Sequence, residues 1–275
     1  MSSDPGTSEH PDPMELLALA ADIARQAGLT AVRYRSSGDV AVASTKSSPT
    51  DVVTAADAAV EAQIRASVAA HRPRDAVVGE EAGEVVGTSD LRWVVDPIDG
   101  TVNYLYGIPR YAVSIAVEDE AGGLVGVVHA PESGETWTAA RGRGAWLDDE
   151  PISPTPCASL AQALVATGFG YREQRRRSQA EVVAQVLPRV RDIRRAGSAA
   201  IDLCDVACGR LDGYYEQGLQ PWDLAAGRLV VTEAGGRVSG LGGREPGEAM
   251  VVAAGPALHE PLTALLASLD ADRPS

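Results

Sequence analysis

The sequence contains few aromatic and few basic residues. The first shortage restricts the composition of the core, and the second restricts the ligands that the surface can bind. A single phenylalanine and an aromatic content of 4% leave alanine, valine, leucine and isoleucine to fill any core. Lys+Arg total 24 against 38 Asp+Glu, a net charge of −14, so the 275-residue chain lacks the basic field that nucleic-acid-binding surfaces need. An anionic ligand is also disfavoured unless bound cations reverse the sign of the charge locally.

Cysteines and long apolar runs are scarce as well. Cys157, Cys204 and Cys208 show no disulfide-framework spacing, which indicates a reducing compartment. The N-terminus has neither the basic nor the apolar region of a signal peptide, and no apolar run reaches membrane-spanning length. We therefore expect a cytoplasmic protein without membrane contact. Residues 1–12 are expected to form a disordered tail, and residues 13–271 a single domain with two sub-layers that divide near residue 150.

Hydrophobic periodicity predicts a mixed fold. Helical spacing covers residues 14–35 and then Val53 to Val68, with Thr50 as the expected N-cap of the second helix. Short β-prone runs predict strands at 76–79, 93–95, 111–117, 124–129, 135–140 and 145–147, the last four as an antiparallel meander. Further strands are predicted at 163–167, 192–194, 213–216 and 250–254, and helices at 178–190, 198–207, 222–233 and 257–269. This mixture favours an α/β or α+β fold with layered sheets.

The segment WVVDPIDGTVNYLYG, residues 93–107, combines a buried strand with acidic residues. Asp96 and Asp99 follow the apolar run, and two neighbouring carboxylates resist joint ionisation unless a cation lies between them. Mg²⁺ prefers oxygen ligands, takes one or two carboxylates, and leaves positions for water and substrate phosphate. The backbone carbonyl of Ile98 is a third candidate oxygen.

Gly100 and Thr101 come next and suit an anion. Glycine allows a backbone to approach a ligand closely, and the first N–H groups of a helical turn attract negative charge. Cation ligands beside an anion site are typical of a metal-assisted phosphatase. The same hexapeptide also fits an ordinary turn, because Asp-Pro and Asp-Gly are common turn sequences.

Other acidic residues lie next to predicted strands or helices. Glu80 and Glu81 end the strand at 76–79, Asp223 begins a helix, and Asp57 lies on the helix after the loop that contains Lys46. Each residue alone fits a helix cap or a solvated side chain. Together with Asp96 and Asp99 they indicate a metal site.

These segments resemble the inositol monophosphatases of the magnesium-dependent, lithium-sensitive phosphatase superfamily, especially bacterial and actinobacterial members. The matching segments are residues 46–57, 79–81, 93–103, 197–200, 214–216 and 222–227. The resemblance implies an αβαβα sandwich, usually a homodimer, with two to three Mg²⁺ per subunit and sensitivity to lithium.

The resemblance also implies metal ligands. Glu80, Asp96 and the Ile98 carbonyl are expected to hold a first ion. Asp96, Asp99 and Asp223 are expected to hold a second, and Glu80 with water a third.

Roles in catalysis and substrate binding follow from the same resemblance. Thr101, hydrogen-bonded to Asp57, is expected to orient the attacking water together with Glu80. The resemblance implies that the N–H groups of Gly100 and Thr101 bind phosphate. Lys46, the only lysine, is expected to place a compact charge near the metals. The substrate is expected to contact Asp99, Ala199, Glu216 and Asp223.

The expected activity is hydrolysis of inositol monophosphate to myo-inositol and phosphate by a metal-activated water. Histidinol phosphate, fructose 1,6-bisphosphate and 3′-phosphoadenosine 5′-phosphate are rival substrates, and a regulatory protein that binds the transcription machinery is a rival of another class. Val102 and Gln220 depart from residues common in the family and affect substrate choice. The arginines between Arg172 and Arg177 fit a second phosphate site, a dimer contact or a solvated helix start.

Overall fold

A computed structural model describes residues 11–37, 42–45 and 52–274, with side chains for 11–37 and 54–274. In these residues the chain forms seven α-helices and fifteen strands. The helices are α1 (Pro13–Ser37), α2 (Ala55–His71), α3 (Thr101–Leu105), α4 (Glu173–Val186), α5 (Ala199–Ala207), α6 (Pro221–Glu233) and α7 (Pro256–Ser268).

The strands group into one large sheet, one small sheet and a separate hairpin. The large sheet contains β3 (Ala76–Gly79), β4 (Gly83–Val85), β5 (Arg92–Asp99), β6 (Ala112–Asp119), β7 (Gly122–Ala130), β8 (Glu135–Ala140), β9 (Gly144–Leu147) and β10 (Glu150–Pro151). The small sheet contains β11 (Leu164–Thr167), β12 (Asp192–Arg194), β13 (Gly213–Glu216), β14 (Arg237–Ser239) and β15 (Val251–Ala254). The hairpin consists of β1 (Val42–Thr45) and β2 (Val52–Thr54).

The large sheet has the order β10-β9-β8-β7-β6-β5-β3-β4, and only the β3–β5 pair in it is parallel. Helices α1 and α2 pack on one face of this sheet, and α5 and α6 pack on the other. The register of β5 against β6 shifts between Asp96 and Asp99, because Asp96 is opposite Ser114 and Asp99 is opposite Ala112. This irregularity bends the end of the strand that carries both carboxylates.

The small sheet has the order β12-β11-β13-β15-β14. Helices α5 and α6 contact one face of this sheet, and α7 contacts the other together with the apolar side of α4. Five layers are therefore stacked in this order: α1 with α2, the large sheet, α5 with α6, the small sheet, and α4 with α7. This arrangement confirms the predicted αβαβα sandwich.

Strand β5 is buried on both faces, which explains its continuous apolar run. Trp93 and Val95 pack toward α1 and α2, whereas Val94 packs toward α5 and α6. The central helices approach the large sheet closely. A Cβ at Gly126 on β7 would lie 3.0 Å from the carbonyl oxygen of Ala226 on α6. Glycine at this position lets α6 bring its N-terminus to the end of β5.

Several sequence predictions need correction. Helix α2 begins after Thr54 and not after Thr50, because Val53 belongs to β2. Helix α4 begins at Glu173, earlier than the predicted Ser178, and is followed by a 3₁₀ turn at Leu187–Arg189. The sequence reading missed the short strands β1, β2, β4, β10 and β14. Residues 1–10 of the predicted tail, Lys46 and Thr50 lie outside the described residues.

Within the described part of the chain, no helix has both the length and the apolar character of a membrane span.

Candidate active site

Three carboxylates converge where β5 ends and α6 begins. Asp96 and Asp99 are 1% and 8% exposed, and one oxygen each from Asp96, Asp99 and Asp223 lie within 4.8 Å of one another. The backbone N–H of Ile98 donates to Asp96 Oδ1 at 3.0 Å. The N–H of Gln220 donates to Asp223 Oδ2 at 2.7 Å, so Asp223 also caps the first turn of α6.

These carboxylates repel one another. Burial, followed by repulsion from Glu80 and Asp99, raises the pKa of Asp96 well above its ordinary value. Burial, followed by repulsion from Asp99 and Glu80, does the same to the pKa of Asp223. A divalent cation among these oxygens removes that repulsion, and an all-oxygen donor set suits Mg²⁺. The residues present therefore fit a magnesium site.

Asp99 also joins β5 to the start of α5. The hydroxyl of Ser198 donates to Asp99 Oδ2 at 2.5 Å. The N–H of Ala200 donates to the same oxygen at 2.8 Å, and that of Ala199 to Oδ1 at 3.3 Å. These bonds oppose the effect of burial, which still raises the pKa of Asp99. Ser198 is the N-cap of α5, and the sequence reading did not identify it as a site residue.

Gly100 is required by its backbone geometry. Its φ is 97°, and a Cβ there would lie 3.1 Å from the carbonyl oxygens of Arg110 and Gly197. An L side chain is strained at this φ, so glycine allows the sharp turn from β5 into α3. The helical turn that the sequence suggested after Gly100 is the short helix α3.

Thr101 connects the cavity to a buried acid. Its Oγ1 lies 3.3 Å from Asp57 Oδ1 and 3.1 Å from the Ile98 carbonyl oxygen. Asp57 Oδ2 accepts the N–H of Thr54 at 2.8 Å and the Thr54 hydroxyl at 2.5 Å. Burial raises the pKa of Asp57, although these hydrogen bonds oppose the rise. Asp57 therefore both caps α2 and faces the threonine.

Two further acids, Glu216 and Asp202, line the same cavity. Tyr214 donates its hydroxyl to Glu216 Oε2 at 2.7 Å, and burial raises the pKa of Glu216 to about 7. Asp202 on α5 is 2% exposed and accepts a bond from Arg110 at 2.7 Å. Burial raises the pKa of Asp202 to about 7 despite the arginine. The sequence reading missed Asp202, because an acid inside a helix gives no local signal of facing a cavity.

The arginines of the 172–177 segment divide between the cavity and the surface. Arg172 and Arg175 line the cavity together with Arg195. Arg175 Nε is buried without a hydrogen-bond partner among the described residues, and the guanidinium NH2 lies 3.6 Å from Glu248. In contrast, Arg177 is exposed and pairs with Glu173 on the same helix.

One cavity of about 370 Å³ gathers most of the predicted site residues. Its lining includes Glu80, Asp96, Ile98, Asp99, Gly100, Thr101, Ala199, Glu216 and Asp223. Asp57 adjoins the cavity through Thr101. This arrangement offers a group of carboxylates that suits a cation, backbone amides beside it, and further carboxylates that can accept hydrogen bonds from hydroxyl groups.

Comparison with known proteins agrees with this geometry. The inositol monophosphatase family matches residues 12–271. Inositol-1-monophosphatase SuhB of Mycobacterium tuberculosis H37Rv is 46% identical over 252 residues, covering 88% of this chain and 87% of that protein. Nus factor SuhB of Escherichia coli K12 is 41% identical over 230 residues, covering 83% and 86%.

A solved structure of the extragenic suppressor protein suhB from Bartonella henselae superposes with a TM-score of 0.85. It is 35% identical, and the match covers 92% of this chain and 98% of that one. The fold, the acidic cavity and the length of the match all agree. The chain belongs to the inositol monophosphatase family.

Proposed function

We propose that this protein is a Mg²⁺-dependent phosphomonoesterase that hydrolyses inositol monophosphate to myo-inositol and phosphate. The observation that carries the proposal is the buried group of Asp96, Asp99 and Asp223, which shares one cavity with Glu80. Relatives named inositol-1-monophosphatase support the substrate.

The cation ligands in this proposal are Glu80, Asp96, the Ile98 carbonyl, Asp99 and Asp223. Two to three Mg²⁺ per subunit are proposed, as the family resemblance implies. When bound, Mg²⁺ supplies a lowered pKa for a coordinated water and compensates the charge that develops on the phosphate. The chain supplies the remaining functions: orientation, anion binding and recognition of hydroxyls.

Thr101 and Glu80 orient the attacking water in this proposal. The Thr101 hydroxyl donates a hydrogen bond to Asp57, which leaves the threonine oxygen free to accept a hydrogen bond from the attacking water. The N–H groups of Gly100 and Thr101 bind the phosphate oxygens. Carboxylates are good acceptors for sugar hydroxyls, which suits Glu216, Asp99 and Asp223, while Ala199 contributes its backbone. Lys46, which precedes β2 in the sequence and lies outside the described residues, is proposed to add a positive charge.

We further propose that residues 13–271 form a single catalytic domain and that two copies form a homodimer. The match of the family to residues 12–271 supports the single domain. A cytoplasmic location is proposed from the three cysteines, which are unpaired.

A phosphate-release assay with several phosphorylated metabolites, with and without a chelator, tests the activity. We expect inositol 1-phosphate to be the best substrate and the chelator to abolish turnover. Glu80→Gln or Asp99→Asn should each reduce kcat at least ~100-fold, because each removes a metal ligand. Glu84→Gln is the matched control, since Glu84 is an exposed acid on the neighbouring strand β4. Near-normal turnover in the first two variants would refute the site.

A second substrate class is favoured by the arginines that line the cavity. Arg172, Arg175 and Arg195 provide positive charge in the same space as the acidic triad, which suits a sugar with two phosphates such as fructose 1,6-bisphosphate. Arg175→Gln should lower kcat/KM for the bisphosphate more than for inositol 1-phosphate. Arg177→Gln, on the exposed face of α4, should change neither. Equal losses for both substrates would exclude a second phosphate site at Arg175.

The regulatory alternative finds support in the relative named Nus factor SuhB. Presence of all the acidic ligands in one cavity favours catalysis. An Asp96→Asn variant separates the two roles, since it should lose hydrolysis and also lose the cellular role if catalysis is the function. Retention of the cellular role would favour binding.

A further inference from the structure

Glu61 is a buried acid that lies outside the cavity. It is on α2 and is 1% exposed, yet its carboxylate has a full set of partners. The N–H of Glu81 donates to Oε2 at 2.7 Å, and the N–H of Ala82 donates to Oε1 at 3.0 Å. Arg65 Nε donates to Oε1 at 2.7 Å. Two of these donors are the residues that immediately follow Glu80.

Gly79 shows that Glu61 also lies against the residue before Glu80. A Cβ built on Gly79 would lie 2.5 Å from both Cδ and Oε1 of Glu61. The φ of Gly79 is outside the left-handed region, so the backbone conformation itself does not require glycine. The close carboxylate instead leaves no room for a Cβ unless the end of the Glu61 side chain moves. Glu61 therefore touches the chain on both sides of Glu80.

Arg65 completes the arrangement. Its side chain is 16% exposed, and it also bonds the carbonyl oxygens of Val77 and Gly83, one on β3 and one on β4. The arginine charge compensates the buried carboxylate, so Glu61 adds little negative charge to the acidic cavity. The pair thus holds the whole β3–β4 turn against α2.

We propose that Glu61 is a positioning residue for the magnesium site, because it fixes the backbone that presents Glu80. The proposal rests on the proposed function, in which Glu80 is a metal ligand. Bonds from backbone N–H groups to a carboxylate are charge-assisted and about twice as strong as neutral ones. Residues that orient metal ligands in this way typically contribute about 10–100-fold to metal affinity or activity.

The test is Mg²⁺ binding to substrate-free protein, measured by isothermal titration calorimetry, for Glu61→Gln. A glutamine amide has one acceptor oxygen, and its NH₂ group would face an N–H donor of the turn. We expect Mg²⁺ affinity to fall about 10–100-fold. The KM for inositol 1-phosphate at saturating Mg²⁺ should be unchanged, since Glu61 does not line the cavity.

Asp75→Asn is the matched control. Asp75 lies at the opposite end of β3, is 6% exposed, and accepts bonds from Trp93, Ser89 and Arg72. Its loss should lower the melting temperature, as the loss of any buried hydrogen-bonded acid does, without weakening Mg²⁺ binding. If Glu61 had only a structural role, Glu61→Gln would behave like Asp75→Asn: its melting temperature would fall and its Mg²⁺ affinity would not change.

Gly79→Ala provides a second perturbation if Glu61→Gln does not fold. The added methyl displaces only the end of a flexible side chain, so the variant should fold while the Glu61 carboxylate moves from its donors. We expect weaker Mg²⁺ binding there as well. Wild-type Mg²⁺ affinity in Glu61→Gln or, where that variant is unfolded, in Gly79→Ala overturns the proposal. Failure of the proposed function can be distinguished from failure of the Glu61 proposal, because it would appear as normal turnover in the Glu80→Gln variant.

Discussion

The raised pKa of Asp202 predicts how the stability of the protein depends on pH. The Asp202 carboxylate is 2% exposed, and its pKa is raised from 3.8 to about 7, first by burial and then by repulsion from Asp205 and Asp99. An acid with a raised folded-state pKa leaves stability unaffected below its unfolded pKa. Stability falls as pH rises between the two pKa values and is constant above the folded one.

The size of the effect follows from the shift. A change from 3.8 to about 7 corresponds to about 4 kcal/mol, since each pKa unit is about 1.4 kcal/mol. Asparagine resembles the protonated acid and keeps an acceptor oxygen for Arg110. Asp202→Asn should therefore match the wild type near pH 4 and become more stable as pH rises, by up to about 4 kcal/mol near pH 8.

Urea unfolding of both proteins across this pH range, in the presence of a chelator, measures the difference. Other titrating acids are common to both proteins and largely cancel. Adding Mg²⁺ should reduce the difference, because cations near Asp99 favour the ionised form of Asp202. A difference that is independent of pH, or a variant that becomes less stable at high pH, would contradict the physical account of Asp202.

Two further predictions concern the triad and its support. Ser198→Ala removes the hydroxyl that donates to Asp99 and that caps the N-terminus of α5. The free energy of unfolding in urea should fall by about 1–3 kcal/mol, and Mg²⁺ binding should weaken. Unchanged stability and unchanged Mg²⁺ binding would contradict this prediction. Asp96→Asn removes one of the repelling charges, so its melting temperature in chelator at neutral pH should exceed that of the wild type. Adding Mg²⁺ should stabilise this variant much less than the wild type; a lower melting temperature in chelator would show that repulsion does not dominate at Asp96.

Hydrophobic periodicity and apolar β-prone runs predicted the elements whose burial is regular. Helices α1 and α7 and strands β3, β8 and β13 lie close to or at the predicted bounds. Strands β4 and β14 were missed because short, largely exposed or half-buried segments take their conformation from a neighbouring strand. The early start of α4 was missed because its first turn is polar and arginine-rich, so it carries no apolar period.

The acidic residues proposed as metal ligands could be predicted from the sequence because each follows or begins a predicted element. The sequence did not predict Ser198, Asp202 or Glu61 as site residues, because their contacts join segments that come together only in the folded chain. Ser198 is 99 residues from the carboxylate to which it donates. Glu61 is 20 residues from the N–H of Glu81, and helical spacing places it on the buried face without indicating its partners.

The bond between Asp99 and the start of α5 joins the large sheet to the helical layer that covers the small sheet. The cation cluster also draws on both halves of the chain, since Asp96 and Asp99 come from the first and Asp223 from the second. A partly folded intermediate with only one sheet formed lacks the complete binding site. Under the proposed function, magnesium binds the native state, and at a free concentration 100 times its Kd it would add about 2.7 kcal/mol to the free energy of unfolding. Magnesium bound in this way would also make the protein more resistant to proteases that cleave its unfolded state.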